Sequence, residues 1–364
     1  MIEVLPRIPL YRAYREWGWP RLLPMNLTVS ITYRCNSRCL TCNVWRKRSE
    51  ELALSEWDRV FASLGSAPYW ITVSGGEPLL RADVVEVVGS AYRHCRPAII
   101  NIPTNGLLPD RITERVDAIA RMCAASQVIV NLSLDGWGEQ HDGIRNVPGC
   151  FENALATYRG LRRLSAPNLT LGIHTVISRH NVDAIPAIYD RLRTLAPDSY
   201  ITEIAEERVE LDTVGSDITP GLDDYSRAAR FLRAELQKAS RSGVARVAQA
   251  FRVQYYDLVQ SWLHEQRQII PCYAGWASAQ ISPDGDVWFC CIRAESVGNL
   301  RKSGYDFRKV WFGERATALR KSIKSGECHC PLANAAYTNM LCHVPSLMRA
   351  GWTLIGGRIR PEQS

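Results

Sequence analysis

Apolar runs and helical stripes alternate from residue 27 to about residue 205. Leu27-Thr28-Val29-Ser30-Ile31-Thr32-Tyr33 has the make-up of a strand. Ser55-Glu56-Trp57-Asp58-Arg59-Val60-Phe61 opens a helix with Ser55 as its cap. The alternation then repeats. It predicts strands over 71–74, 98–102, 127–134, 169–177 and 200–205, and helices over 83–92, 111–123, 151–164 and 183–195. Six strands with a helix between each pair predict an α/β fold, a parallel sheet with helices outside. An eightfold barrel needs more units, so the expected form is an incomplete one.

The pattern changes after Pro220. Residues 223–240 and 250–269 read as two long helices, and the stretch from Cys272 to Cys342 reads as rich in loops. These changes divide the chain into an N-terminal extension (1–26), the barrel (27–220), a helical connector (221–270), a small cysteine-bearing domain (271–345) and a tail (346–364).

Composition narrows the class. A chain of 364 residues that is 46% hydrophobic can bury a large core, which excludes a disordered protein. No run of 18 apolar residues exists, and the first residues lack the pattern of a secretory signal. A cytoplasmic location is therefore expected, and there 12 cysteines point to metal ligation or catalysis rather than disulfides. The net charge of +7 is spread along the chain without a basic block, so a nucleic-acid partner is not expected.

Cys35, Cys39 and Cys42 form C-x3-C-x2-C in the loop after the first strand. Three thiolates in so short a loop can face one metal centre and leave a fourth position open. A [4Fe–4S] cluster uses three thiolates in that way, whereas structural zinc wants a fourth protein ligand. Buried free thiols are the remaining alternative. Gly75-Gly76-Glu77-Pro78 follows the second strand. It reads either as a close backbone approach to a ligand, with Glu77 supplying charge, or as a tight turn before a helix.

Together these motifs resemble the radical S-adenosylmethionine (SAM) superfamily over roughly residues 27–205. The resemblance implies a partial (β/α)6 TIM-like barrel in which Cys35, Cys39 and Cys42 hold a SAM-binding [4Fe–4S] cluster. One electron from that cluster cleaves SAM to a 5′-deoxyadenosyl radical, which abstracts a substrate hydrogen. Within the cofactor-binding motif Gly75, Gly76, Glu77 and Pro78, Glu77 and the carbonyls near Gly75 and Gly76 would hold the SAM ammonium. Asn105, Ser133 and Asp135, at later strand ends, would contact its ribose or carboxylate; simple turn chemistry is the alternative for them. The aromatic that often precedes the third cysteine is Thr41 here, and Trp45 is the substitute considered. Glu206 and Arg208, beyond the sixth strand, are candidate substrate contacts, and Glu207 is expected in a solvated edge. His174, alone in strand five, is expected to be a satisfied core group.

Cys272, Cys290, Cys328 and Cys330, with Ile281-Ser282-Pro283-Asp284-Gly285-Asp286-Val287 and Gly298-Asn299-Leu300, resemble the SPASM or shorter twitch extension of that superfamily. The resemblance implies an auxiliary [4Fe–4S] cluster on those four residues. A four-cysteine zinc knuckle is the alternative, and Cys342 is a possible replacement ligand. Cys291 is then spare beside a ligand, either buried or a catalytic hydrogen-atom donor.

The implied activity is a radical SAM oxidoreductase or epimerase acting on a hydroxylated small molecule such as a sugar or cyclitol, with a flavodoxin or ferredoxin as reductase. The first alternative is a ribosomal-peptide maturase. The second is a non-catalytic iron–sulfur or zinc protein for electron transfer. Only 34 residues precede Cys35, too few for the winged-helix leader-binding domain of many peptide maturases, although some borrow a separate recognition protein. Ile8, Leu10, Tyr11, Tyr14, Trp17, Trp19 and Leu22 near the start, and Met348, Trp352, Leu354 and Ile355 near the end, either pack on the barrel or form docking or membrane-surface faces.

Overall fold

A computed structural model describes residues 2–238 and 243–354. In chain order the elements are α1 (Ile8–Trp17), β1 (Asn26–Thr32), α2 (Leu54–Leu64), β2 (Trp70–Gly75), α3 (Val84–Cys95), β3 (Ile99–Thr104), α4 (Pro109–Met122) and β4 (Gln127–Ser133). There follow α5 (Glu139–Arg145), α6 (Cys150–Arg162), β5 (Leu169–Ile177), α7 (Ile185–Arg193), β6 (Ser199–Ile204), α8 (Leu222–Lys238) and α9 (Gly243–Glu265). The last part holds β7 (Ser278–Ile281), β8 (Asp286–Trp288), β9 (Gly298–Asn299), α10 (Phe307–Trp311), α11 (Glu314–Ser325), α12 (Ala333–Cys342) and α13 (Val344–Leu354).

Strands β1 to β6 are parallel neighbours in chain order. The helices between them cover the sheet with apolar stripes. On α2 the stripe is Trp57, Val60, Phe61 and Leu64, spaced i, i+3, i+4, i+7, and all four are buried. Burying each such side chain contributes about 1.5–3 kcal/mol. Ser55 is not the cap of this helix but lies in its first turn. The capping position is Ala53, whose N–H donates to the Glu56 carboxylate at 2.8 Å. The sequence pattern missed α5, because its seven residues carry only two buried side chains, His141 and Ile144.

The sheet does not stop at β1. Strand β7 pairs in parallel with β1, placing Ala279 beside Leu27, and β8 and β9 continue antiparallel. One nine-stranded sheet therefore runs from β6 to β9, through the expected boundary near residue 270. The region expected to be rich in loops also carries α10, α11 and α12.

A chain of contacts spans from β6 back to β1. Thr202 on β6 shares a 2.9 Å hydrogen bond with Tyr256 on α9. The neighbouring Tyr255 stacks on Tyr337 of α12 at 5.5 Å. Asn334 of α12 donates to Thr28 Oγ1 on β1 at 2.9 Å. Along β1, Leu27, Val29 and Ile31 alternate with buried Thr28, Ser30 and Thr32, so one face of this strand is polar within the fold.

Two clasps hold the C-terminal part on the barrel. Arg301 makes a bidentate pair with Glu56 at 2.7 and 3.0 Å, and Tyr305 donates to the same carboxylate at 2.6 Å. Arg15 on α1 donates to the Cys272 carbonyl at 2.8 Å. The N-terminal apolar positions divide: Ile8, Tyr11 and Tyr14 are buried, whereas Leu10, Trp17 and Trp19 are exposed. Met348 and Trp352 are exposed on α13, and Ile355 lies outside the described residues.

Candidate functional site

The loop after β1 carries Cys35, Cys39 and Cys42, all half-buried free thiols. Each faces an N–H donor. Ser37 N lies 3.4 Å from Cys35 Sγ and Asn105 Nδ2 lies 3.9 Å from it. Arg145 Nη1 lies 3.7 Å from Cys39 Sγ. The Val44 N–H serves Cys42. Burial pushes the Cys35 thiol up to about 11 and the Cys42 thiol up to about 12, so the thiolates need further positive charge to form. A metal centre supplies it. Among the described residues, no three His, Cys, Asp or Glu side chains gather tightly enough to hold a single ion.

The two glycines of Gly75-Gly76-Glu77-Pro78 are required by the loop itself. A Cβ on Gly76 would lie 2.4 Å from the Arg34 carbonyl oxygen, and Gly75 has φ +127° with Thr32 O in the way. The backbone that approaches so closely is that of the cysteine loop: Gly76 N donates to Thr32 O at 2.8 Å and Glu77 N to Arg34 O at 2.9 Å. Glu77 is buried, and burial raises its pKa to about 7. Its carboxylate accepts from Asn105 N at 2.7 Å, Thr104 Oγ1 at 3.0 Å and Leu79 N at 3.2 Å. Pro78 opens a short turn behind it. Glu77 therefore ties the ends of β2 and β3 together. Asn105 extends that tie to the cysteine loop, donating to Asn36 Oδ1 at 2.8 Å.

Ser133 is half-buried at the end of β4. Asp135 is buried, and both its carboxylate oxygens serve the protein: Oδ1 accepts from Val176 N at 2.8 Å and Oδ2 pairs with Arg145 at 2.6 Å. The sequence reading missed Arg145, since a lone arginine ten residues past Asp135 belongs to no spacing motif. Trp45, the substitute for the aromatic before the third cysteine, lies in an open cleft with Arg34, Cys35, Arg38, Arg46, Lys47 and Arg48. The guanidinium groups of Arg38 and Arg46 lie over its ring at 4.5 and 4.9 Å.

Beyond β6 the chain turns across the barrel mouth. Arg208 pairs with Glu206 at 3.0 Å and with Glu203 at 3.5 Å. His174 stands 3.8 Å from Glu203, so it belongs to this cluster rather than to an apolar core. Glu210, which the sequence reading also missed, accepts from Ser30 on β1 at 3.2 Å and from Gln280 on β7. Burial raises the Glu206 pKa to about 7, although Arg208 opposes the shift. The buried Cys291 thiol faces Arg208, Glu210 and Glu206. Glu207 points elsewhere, accepting from Gly215 N and Asp217 N at 2.7 and 3.0 Å. Ser37 Oγ, Arg145 Nε, Glu206 Oε2 and Arg208 Nε are buried without a hydrogen-bond partner. Buried polar atoms left open in this way suit a site that receives polar ligand groups.

Cys272, Cys290, Cys328 and Cys330 line one small cavity. They come from the turn before β7, the residues after β8 and the loop after α11. Burial pushes Cys272 up to about 12, and Cys290 and Cys330 upward. Arg293 hydrogen-bonds to Cys328. Cys342 does not line this cavity; it is buried in α12 near Tyr11 and Arg12. Cys95 and Cys123 are buried in helix packing, and Cys150 donates to Asp142 Oδ1 at 3.3 Å.

The donor sets thus fit two cysteine-ligated clusters, one with three thiols and one with four. Residues 29–192 match the Radical SAM superfamily, and residues 272–331 match the SPASM iron–sulfur cluster-binding domain. The chain belongs to the radical SAM superfamily and carries a SPASM domain, so it is an enzyme that uses SAM and [4Fe–4S] clusters. It is similar to the mycofactocin maturase MftC of Mycobacterium ulcerans, at 32% identity over 322 residues, 84% of this chain and 79% of that protein. It is also similar to the AdoMet-dependent heme synthase of Methanosarcina barkeri, at 26% identity over 83% of this chain and 84% of that protein. A 34% match to the Fe-coproporphyrin III synthase of the same organism covers 45% of this chain and 39% of that protein. Among solved structures, SuiB of Streptococcus suis bound to S-adenosylmethionine shares the fold, with TM-score 0.59 at 14% identity over 82% of this chain and 68% of that one. Among the described residues no helix is long and apolar enough to cross a membrane.

Proposed function

We propose that the protein is a radical SAM maturase that modifies a ribosomally made peptide. The observation that carries this reading is the 32% identity to a mycofactocin maturase, which spans 84% of this chain. The sugar or cyclitol reading gives way to a match of that extent.

In this reading Cys35, Cys39 and Cys42 hold the SAM-binding cluster, and Cys272, Cys290, Cys328 and Cys330 hold the auxiliary one. Bound at the first site, SAM and the cluster would supply radical chemistry for hydrogen-atom abstraction. The chain's own residues bind, orient and exclude water. The backbone at Gly75 and Gly76, with Asn105 and Ser133, lines the SAM pocket, while Glu77, Pro78 and Asp135 brace it from behind. Glu206, Arg208 and Cys291 face the substrate between the two clusters. The open Nε of Arg208 and Oε2 of Glu206 give that substrate one donor and one acceptor. A reductase such as a flavodoxin or ferredoxin provides the electron.

The test is product analysis. Anaerobically reconstituted protein, SAM and dithionite are incubated separately with synthetic ribosomal precursor peptides, iron coproporphyrin, and sugars or cyclitols. The reading expects 5′-deoxyadenosine together with a changed peptide mass. Conversion of the porphyrin or a sugar, with every peptide unchanged, would overturn it.

A further inference from the structure

Arg145 sits where a charge has a direct route to the SAM-binding cluster. Its guanidinium is only 12% exposed. One N–H reaches Cys39 Sγ at 3.7 Å, and another pairs with Asp135 at 2.6 Å. The pair cannot easily drift. Asp135 is fixed by Val176 N at 2.8 Å, and its own N–H donates to His141 Nδ1 at 3.1 Å. The backbone is clamped as well, since Arg38 N donates to Arg145 O at 3.1 Å and Leu40 N to Ile144 O at 2.9 Å. The helix that carries Arg145 therefore grips the loop that carries Cys39. Cys35 and Cys42, by contrast, face uncharged donors.

We infer that Arg145 is a positioning residue that sets the reduction potential of the SAM-binding cluster through the Cys39 sulfur, with Asp135 as its counterweight. This rests on the cluster assignment and is independent of which substrate the enzyme takes. A cluster gains one negative charge when reduced. Hydrogen bonds to its sulfurs and nearby positive charge favour that state and raise the potential. Burial strengthens the effect, because little water screens the charge. Asp135, paired with the other terminal nitrogen of the same guanidinium, opposes it. The two partners therefore act on the potential with opposite signs, which a merely structural brace would not do.

The test is an EPR-monitored redox titration of the reconstituted enzyme without SAM or substrate, with iron counted per chain. Arg145→Met should shift the first cluster to a more negative potential. Asp135→Asn should shift it to a less negative one. Arg145→Lys, which keeps the charge but loses the fork, should fall between wild type and Arg145→Met. The auxiliary cluster should stay at its wild-type potential in all three. The inference is overturned if iron-replete Arg145→Met titrates like wild type, or if Arg145→Met and Asp135→Asn shift the potential in the same direction. Should Arg145→Met fail to retain iron, Asp135→Asn decides alone: a less negative potential supports the inference and an unmoved one sinks it.

Discussion

The two cysteine sites are built in opposite ways. Cys35, Cys39 and Cys42 lie within one loop, and neighbouring strand ends hold that loop through Gly76, Glu77 and Asn105. Cys272, Cys290, Cys328 and Cys330 come from separate segments and meet only because β7 pairs with β1 and α11 folds back. Each site has an arginine on one thiol. Arg145 is shielded and paired with buried Asp135, whereas Arg293 is 27% exposed and paired with Glu295, itself 47% exposed. The difference suits different work. With a cluster bound, the locally built, braced site would leave one iron open toward SAM, and the site assembled from distant segments offers a fourth thiol instead.

The strongest way to break this comparison is at the first site. Cys35→Ala should abolish 5′-deoxyadenosine formation entirely, measured by chromatography after reaction with SAM and dithionite. Gly76→Ala comes next, because its new Cβ meets backbone that cannot swing aside. We expect a loss of about 3 kcal/mol in thermal unfolding, together with poor retention of the first cluster.

At the cluster beyond β6, Glu206→Gln is the next test. Glu206 is protonated below about pH 7 and charged above it. Glutamine copies the protonated form, so wild type and variant should agree at pH 6. Above pH 7 the variant should differ by roughly tenfold in kcat/KM and lose the wild-type pH dependence. The smallest effect is at the clasp. The Arg301 hydrogen bonds hold Glu56 down to about 2. Its contribution to stability is therefore present above the ordinary carboxylate range near 4.5 and is lost as pH falls through about 2. Glu56→Gln should lower stability by about 1 kcal/mol at pH 7, after solvent screening, and by little at pH 2 in thermal melts.

The same contrast explains what could be read from the sequence. Strand β5 is found over the predicted residues, and the helical stripes of α2 and α4 were visible, because periodicity is a local signal. The three-cysteine loop was equally local. Helix α5 was not legible, since seven residues with two buried positions make no stripe. Nor was Arg145, whose importance arises only when α5 lies against the cysteine loop. Glu210 likewise acquires its role through strands far away in sequence, by bonding to Ser30 and Gln280. Asp135 shows the converse. Its position at a strand end was evident, but its partners, Arg145 and Val176, were not, because both come from other elements of the fold.

The central claim is that two clusters sit in two differently built sites with separate tasks. Cys328→Ala tests it most directly, with iron counted and 5′-deoxyadenosine measured on the same anaerobic sample. The account predicts a fall from about eight irons per chain to about four, with SAM still cleaved in the presence of dithionite. Loss of SAM cleavage together with all iron, or an unchanged iron count, would contradict it.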